Sequence, residues 1–367
     1  HYSLVFFFPP DAAPLFYQHG APHPSELAAH NRLGFFKTPK SSVMKPVNQP
    51  SSVEPPNVVL LSRVIESMQY LADAFMTACP GIDVRHGSKL GAAEEIDVAV
   101  CWFPPHGALA QFPNLKLVQS LAAGIDHIVA DPMLPAHVPL CRIVDPTMAA
   151  GMNAYVAWAV VQQHRTMGAY LASAAKREWQ QQTVVSPRGH RVGIAGLGTL
   201  GLGCGRALAA IGYQVRGWSK TMKDVGAADI EVFHGAHQLD AFLAGCDTLV
   251  CLLPLTAETR GFLNASLFER LPRGAHLINV GRGDHLVGAD LFAALDSGHL
   301  SAATLDTFAE EPLPPDDPFW RHERILVTPH IATRTDALEI ARQTLVNHAL
   351  LRRGLRPKHQ VDLSRGY

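Results

Sequence analysis

Three charged residues each stand directly after a run of β-forming side chains: Arg282 in Asn279-Val280-Gly281-Arg282-Gly283, Glu311 after Leu305-Asp306-Thr307-Phe308, and His330 in Val327-Thr328-Pro329-His330. Each alone has an ordinary use: Arg282 as a surface ion pair, Glu311 as a loop charge, His330 as a satisfied loop histidine. With 19 histidines in the chain, a lone His says little. As a set they can do chemistry. A guanidinium pairs with a carboxylate and polarises a neighbouring ketone. An imidazolium can give a proton to the carbonyl oxygen as hydride reaches carbon, a general-acid role that typically contributes about 10²–10⁴-fold. A carboxylate beside that imidazole holds it in place and favours its charged form. The set therefore suits reduction of a small 2-oxo acid.

A source of hydride is legible upstream. Val192-Gly193-Ile194-Ala195 runs into Gly196-Leu197-Gly198-Thr199-Leu200-Gly201, and a helical pattern of Leu200, Cys204, Leu208 and Ile211 follows up to Gly212. This is GxGxxG between a strand and a helix, the context that gives the motif meaning. Gly196 permits the tight turn, Gly198 lets backbone approach a pyrophosphate, and Gly201 lets helix and strand pack closely; the helix N-terminus offers free N–H groups to the phosphates. The alternative is a glycine-rich turn that serves packing only. The next strand ends in Gly217-Trp218-Ser219-Lys220-Thr221-Met222-Lys223, with Trp218 lying 22 residues past Gly196. A site selective for NADH usually carries Asp or Glu there for the ribose 2′-hydroxyl. Ser219 and Lys220 instead suit a 2′-phosphate, so the sequence predicts NADPH over NADH. A solvated polar loop that accepts either cofactor is the plainer alternative.

These groups need a scaffold whose strands all end on one edge. From Asn57 the chain alternates β and α signals: strands at Val58–Leu61, Val98–Trp102 and Leu115–Gln119, and a helix over Ser67–Cys79 stopped by Pro80-Gly81. A long proline-free helix is expected from about Ala149 to Ala175, crossing between domains. Six strands follow, at Val192–Ala195, Tyr213–Trp218, Thr248–Leu252, His276–Val280, Ala302–Asp306 and Ile325–Val327. Two doubly wound parallel-sheet α/β domains result, with ligands at the carboxyl ends of the strands. A last amphipathic helix, Arg334 to Arg353, aligns Leu338, Ala341, Leu345 and Ala349 on one face and stops at Gly354.

Composition sets outer limits. The 367 residues are 47% hydrophobic and 17% charged, with a formal net charge of −1, so no overall field favours nucleic acid or an acidic membrane. No apolar run approaches the roughly 20 residues that span a bilayer. Cys79, Cys101, Cys141, Cys204, Cys246 and Cys251 form no CxxC pair and lack zinc-ligand spacing, which predicts reduced thiols, no metal and a cytoplasmic protein. Ten of the 27 prolines fall in residues 1–56, and the sequence begins at His1 with Met44 further on. This stretch is expected to be an extension, tag or disordered arm.

The motifs resemble the D-isomer-specific 2-hydroxyacid dehydrogenase family, and most of all its glyoxylate/hydroxypyruvate reductase A branch. The resemblance is carried by Leu121-Ala122-Ala123-Gly124-Ile125-Asp126-His127-Ile128, Gly217-Trp218-Ser219-Lys220, Leu253-Pro254-Leu255-Thr256-Ala257-Glu258-Thr259-Arg260-Gly261, Glu311-Pro312-Leu313-Pro314, Thr328-Pro329-His330 and the ending Arg365-Gly366-Tyr367. It covers about residues 57–367. It implies a discontinuous substrate domain (57–147 plus 331–367) around a dinucleotide-binding domain (148–330), and a homodimer with the long helix near its interface. It implies Arg282, Glu311 and His330 as the catalytic set, and Trp102, Ala123, Gly124 and Arg282 as substrate contacts. Gly196, Gly198, Thr199, Leu200, Gly201, Trp218, Ser219, Lys220, Leu253, Pro254, Val280, Gly281 and Asp306 would hold the cofactor, Asp306 near the nicotinamide ribose or carboxamide. Ala122, Ala154 and Thr307 depart from the branch's usual Gly, Glu and Val. Gly203 and Gly205 make the phosphate helix glycine-rich, at a cost of roughly 0.5–1 kcal/mol each relative to Ala.

Two other readings remain open at this stage. One is an NADH-linked dehydrogenase of another 2-hydroxy acid. Glu311 stands against formate, and the absence of an acidic residue after Trp218 and of a C-terminal regulatory extension stands against phosphoglycerate. The other is a cofactor-sensing, corepressor-like binding protein on the same fold.

Overall fold

The computed structural model describes residues 54–363 except Lys89. Most of the proposed 1–56 extension, and the Arg365-Gly366-Tyr367 ending, lie outside the described residues.

Two all-parallel sheets organise the chain. The first comprises β1 (Val58–Ser62), β2 (Val84–His86), β3 (Val98–Trp102), β4 (Leu117–Ser120) and β5 (Leu140–Cys141), in spatial order β2-β1-β3-β4-β5. Its central strands are apolar on both faces because both are covered. On one face Leu71 and Phe75 of α1 (Gln69–Ala78) pack on Val58, Leu60, Val98 and Val100. On the other, Ile128 of α2 (Asp126–Val129) joins Val59, Ala99 and Val118. Strands β2 and β5, of three and two residues, are too short to show a pattern in the sequence.

The single helix expected over 149–175 is two helices, α3 (Pro146–His164) and α4 (Met167–Lys176). Asp145 opens α3 by accepting from the Thr147 and Met148 amides, with Pro146 at the first position. The break falls at Thr166, whose backbone is left-handed (φ 50°). The Arg165 and Thr166 amides close on Val161 and Gln163. Neither Gly nor Pro occupies the break itself at 165–166, and Gly168 lies just beyond it in the first turn of α4.

The second sheet has seven strands rather than the expected six: β6 (Arg191–Ala195), β7 (Gln214–Ser219), β8 (Ile230–His234), β9 (Thr248–Cys251), β10 (Ala275–Asn279), β11 (Leu300–Leu305) and β12 (Ile325–Val327). Their order is β12-β11-β10-β9-β6-β7-β8. The missed strand, β8, is an edge strand with only Ile230 fully buried, so it lacks the continuous apolar run of a central strand. Helices α5 (Thr199–Ile211), α6 (Leu239–Leu243), α7 (Ala265–Phe268) and α8 (Gly288–Asp296) cover it. The chain winds outward from β6 to β8 and then returns to β9 on the other side of β6. That reversal opens a crevice at the carboxyl ends of β6 and β9.

Helix α9 (Ala337–Arg352) returns to the first sheet beside α1. Its buried face is Ile340, Ala341, Thr344, Asn347 and His348, rotated from the expected Leu338-Ala341-Leu345-Ala349 stripe. Asn347 and Thr344 can take this face because they are paired. Asn347 donates to Gln119 Oε1 (3.1 Å) and accepts from the Lys358 amide (2.8 Å), and the Thr344 hydroxyl donates to the Ile340 carbonyl. Gly354 follows the helix with φ 67°, as expected of a C-terminal stop. The two segments that join the sheets run side by side. Gln343 Nε2 donates to the Val144 carbonyl (2.9 Å), and the Thr333 hydroxyl donates to that of Met148 (2.5 Å).

Candidate active site

At the β6–α5 turn, Gly196 takes φ 110°, and a Cβ there would sit 2.5 Å from the Leu252 carbonyl oxygen. A Cβ on Gly201 would meet the Gly196 oxygen at 1.9 Å, so strand and helix approach as only glycine allows. Gly198 caps α5 with no side-chain hydrogen bond, and the space beside its α-carbon is open. The first-turn amides of Thr199, Leu200 and Gly201 thus form a positively polarised helix end that no side chain caps. This arrangement fits a pyrophosphate. The extra glycines have packing uses: a Cβ on Gly203 would crowd Asn153 of α3 (2.8 Å), and one on Gly205 would crowd Ile230 (2.7 Å).

At the end of β7, Trp218 is buried and stacked on Phe262 (5.7 Å, 17°), and its indole N–H donates to the Gly235 carbonyl (2.9 Å). The Ser219 hydroxyl donates to the Thr221 carbonyl (2.8 Å). Lys220 Nζ lies 3.8 Å from Glu258, both groups well exposed, a solvent-screened pair that is easily exchanged for another anion. Across the crevice, Leu253 and Pro254 follow β9 and Val280 and Gly281 follow β10. The Val280 amide reaches the Cys251 carbonyl (3.3 Å), and the Gly281 amide reaches Asn279 Oδ1 (3.2 Å).

The three charged residues meet at this edge. His330 Nδ1 is 2.8 Å from Glu311 Oε2, and Glu311 Oε1 accepts from the Phe308 amide (2.9 Å). Burial raises the pKa of the Glu311 carboxyl, but the His330 bond and charge, the Phe308 amide and Arg282 outweigh it and hold the pKa below the ordinary value. An ionised Glu311 accepts a hydrogen bond from Nδ1–H, leaving Nε2 of the ring for the pocket. His330 itself has a left-handed backbone (φ 52°), and its amide donates to the carbonyls of Asp306 (2.9 Å) and Thr328 (3.0 Å). Asp306 is buried beneath this loop. Its carboxylate accepts from the Thr328 hydroxyl (2.6 Å) and the Ile331 and Ala332 amides (2.9 Å each). Tyr155 of α3 extends the network to Thr328 (2.5 Å); burial foremost pushes its phenol up to about 12, so it stays a donor.

Arg282 faces the first sheet. Its Nε donates to both oxygens of Asp126 (3.0 and 3.2 Å), and Nη1 donates to the Gly281 carbonyl (2.8 Å). Nη2 lies so close to Gly124 that a Cβ there would be 1.7 Å from it. The Ser120 hydroxyl folds the 121–124 loop by donating to the Gly124 carbonyl (2.7 Å) and accepting from the Ala122 amide (3.2 Å). Among the described residues the Ala123 and Gly124 amides donate to no protein acceptor. These two amides and one guanidinium nitrogen are thus neighbours at this loop, donors of the kind a carboxylate accepts from. Trp102 walls the site, 6.1 Å from the His330 ring and 4.6 Å from that of His127.

Four participants escaped the sequence reading. Asp126 and His127 lie inside the 121–128 segment that carries the family resemblance, where only Ala123 and Gly124 are given a role. His285 stands three residues past Arg282 and bonds its amide (3.0 Å), and Asn279 donates to the Arg282 carbonyl (2.9 Å). No local signal separates such residues from ordinary core polar groups.

A family model described as "D-isomer specific 2-hydroxyacid dehydrogenase, NAD binding domain" matches residues 157–332. Over 319 residues the chain is 38% identical to glyoxylate/hydroxypyruvate reductase A of Yersinia enterocolitica, covering 85% of this chain and 100% of that one. Among solved structures, a D-isomer specific 2-hydroxyacid dehydrogenase from Xanthobacter autotrophicus Py2, in complex with NADPH and MES, has a TM-score of 0.79 at 41% identity, covering 85% of this chain and 100% of the other. An NADPH-dependent glyoxylate/hydroxypyruvate reductase from Sinorhizobium meliloti, in complex with NADP and sulfate, has a TM-score of 0.78 at 37% identity, with 85% and 100% covered.

Proposed function

The chain belongs to the D-isomer-specific 2-hydroxyacid dehydrogenase family, and from that premise we propose that Arg282, Glu311 and His330 are its catalytic residues. The protein is an NADPH-dependent reductase of small 2-oxo acids, glyoxylate and hydroxypyruvate. The observation that carries the assignment of roles is the placement of the Glu311–His330 pair and the free Nη2 of Arg282 at one sheet edge beside the uncapped α5.

When bound, the dinucleotide supplies hydride. The substrate carboxylate is held by Arg282 Nη2 and the Ala123 and Gly124 amides. His330, oriented through Nδ1 by Glu311, gives a proton from Nε2 to the ketone oxygen as the carbonyl carbon is reduced. Trp102 excludes water from one side. Ser219 and Lys220 read the 2′-phosphate, and Leu253, Pro254, Val280 and Gly281 line the nicotinamide end. Asp306 acts from below by fixing the 328–332 loop that carries His330.

The substrate domain comprises 57–147 with 331–367, and the dinucleotide domain 148–330. A homodimer is supported by apolar side chains left exposed on α3, α4 and the segment after them: Trp158, Leu171 (63%), Trp179 (94%) and Val184. A cytoplasmic location is supported by six free cysteines. Among the described residues no helix is long and apolar enough to cross a membrane.

The deciding experiment is NADPH oxidation, followed by absorbance, with glyoxylate and hydroxypyruvate and repeated with NADH. Turnover faster with NADPH is the expected result. Tight cofactor binding without turnover on any small 2-oxo acid rejects the catalytic reading.

A further inference from the structure

Behind Arg282 lies a buried histidine that the mechanism above does not use. His285 has no solvent exposure. Its Nδ1 accepts a hydrogen bond from the Arg282 amide (3.0 Å), and its Nε2 lies 3.3 Å from the Pro254 carbonyl oxygen. Because a backbone N–H can only donate, Nδ1 must carry the lone pair. The proton then sits on Nε2 and points at Pro254. Both ring nitrogens are satisfied in one neutral tautomer, and burial, which lowers the ring's pKa, favours that state.

The two partners belong to different parts of the site. Pro254 sits on the loop after β9, and the residue before that loop touches the dinucleotide turn, since a Cβ on Gly196 would lie 2.5 Å from the Leu252 oxygen and 2.9 Å from the Leu253 nitrogen. Arg282 reaches the other way, to Asp126 and Gly124. Packing admits little slack around the ring, as a Cβ on Gly281 would meet His285 Nδ1 at 2.9 Å.

We propose that His285 is a positioning residue that fixes the Arg282 backbone relative to the Pro254 loop, so that Nη2 is aimed at the substrate carboxylate before substrate arrives. The inference rests on the reading of Arg282 as the carboxylate-binding residue. A neutral ring bonded on both sides is a rigid strut between a cofactor-side loop and the substrate-side guanidinium. Protonation at Nδ1, or loss of that acceptor, releases the Arg282 amide and with it the aim of the side chain.

The test uses the full chain saturated with NADP and titrated calorimetrically with oxalate, a dicarboxylate that reads the Arg282 grip without turnover. His285→Leu removes both bonds at similar bulk. His285→Asn keeps an acceptor near the Nδ1 position. The expected result is oxalate binding weakened about 10-fold or more in His285→Leu, the factor that corresponds to one lost hydrogen bond. NADP affinity should change by less than about 3-fold, and most of the oxalate affinity should return in His285→Asn. Oxalate binding by His285→Leu equal to wild type overturns the proposal. So does an equal loss in both variants, or a loss matched by an equal loss of NADP affinity, since either marks general disruption. Failure of the reductase reading shows separately, as absent turnover in wild type that still binds oxalate.

Discussion

Asp126 and Arg282 clasp each other across the crevice: one guanidinium Nε donates to both carboxylate oxygens, at 3.0 and 3.2 Å, between residues 156 positions apart. The clasp fixes the guanidinium plane and leaves Nη2 against Gly124. Asp126 is also a negative charge near the place proposed for the substrate carboxylate, so geometry and Coulomb repulsion oppose each other. The Arg282 and Asp126 side chains are largely buried, 20% and 17% exposed, so solvent screens neither term strongly, and loss of the two bonds that aim the guanidinium is expected to outweigh relief of the repulsion. Asp126→Ala is therefore expected to raise the KM for glyoxylate about 10-fold, the low end for a hydrogen bond to a charged group. Steady-state kinetics check this, and a KM that stays level or falls would show that the charge dominates.

His330→Ala should lower kcat about 10²–10⁴-fold, the usual span for a general acid. NADPH affinity, measured by fluorescence titration, should stay near wild type because the ring contacts Glu311 and Trp102 rather than the dinucleotide turn. Near-normal turnover removes His330 from the proton-donor role.

Lys220→Asp should shift the ratio of kcat/KM toward NADH. The lysine's partner in the absence of phosphate is the exposed Glu258, so the substitution disturbs little else. A carboxylate at the end of β7 repels a 2′-phosphate and accepts from a 2′-hydroxyl. An unchanged NADPH/NADH ratio means that the phosphate is read by other groups.

Stability should fall in mild acid. Burial lowers the pKa of His276 to about 3 and, foremost among several causes, those of His190 and His127 to about 4. These rings are neutral in the folded chain but take protons in the unfolded chain below its ordinary value near 6.5. The unfolded state thus binds more protons. The stability these rings contribute is complete above about pH 6.5 and declines between 6.5 and 4, at up to about 1.4 kcal/mol per pH unit for each ring. Urea unfolding at pH 7.5, 6 and 5 measures it. His276→Gln, which keeps a polar partner for Thr304 (3.0 Å from the native Nε2), should flatten the slope. Equal stability at all three pH values contradicts the assignment.

The elements that the sequence announced were those under two constraints at once. Strands β3, β6 and β9 are continuous apolar runs buried on both faces, and the β6–α5 turn adds glycines that no other residue can replace. Arg282, Glu311 and His330 could be grouped from the sequence because strand ends of a parallel sheet share one edge. What was not legible depended on distant partners. The rotated face of α9 needs Gln119 and Lys358 to satisfy Asn347. The helix break at Thr166 is a backbone choice that β-branching alone does not dictate, and β8 is held as an edge strand by β7 alone. His285 and Asp126 look like any polar residue until Arg282 is seen between them.

The placement of the 331–332 amides on the Asp306 carboxylate divides the labour of turnover. The segment that leaves His330 is fastened to the cofactor side one residue after the imidazole, and only beyond it, at Thr333 and then Gln343 of α9, does the chain bond to the other crossing at Met148 and Val144. Were the first sheet to swing about this paired crossing, Asp126 and Gly124 would part from Arg282, while Glu311 and His330 would keep their contact. On the proposed roles, such an opening would cost the grip on the carboxylate and leave the Glu311–His330 hydrogen bond made.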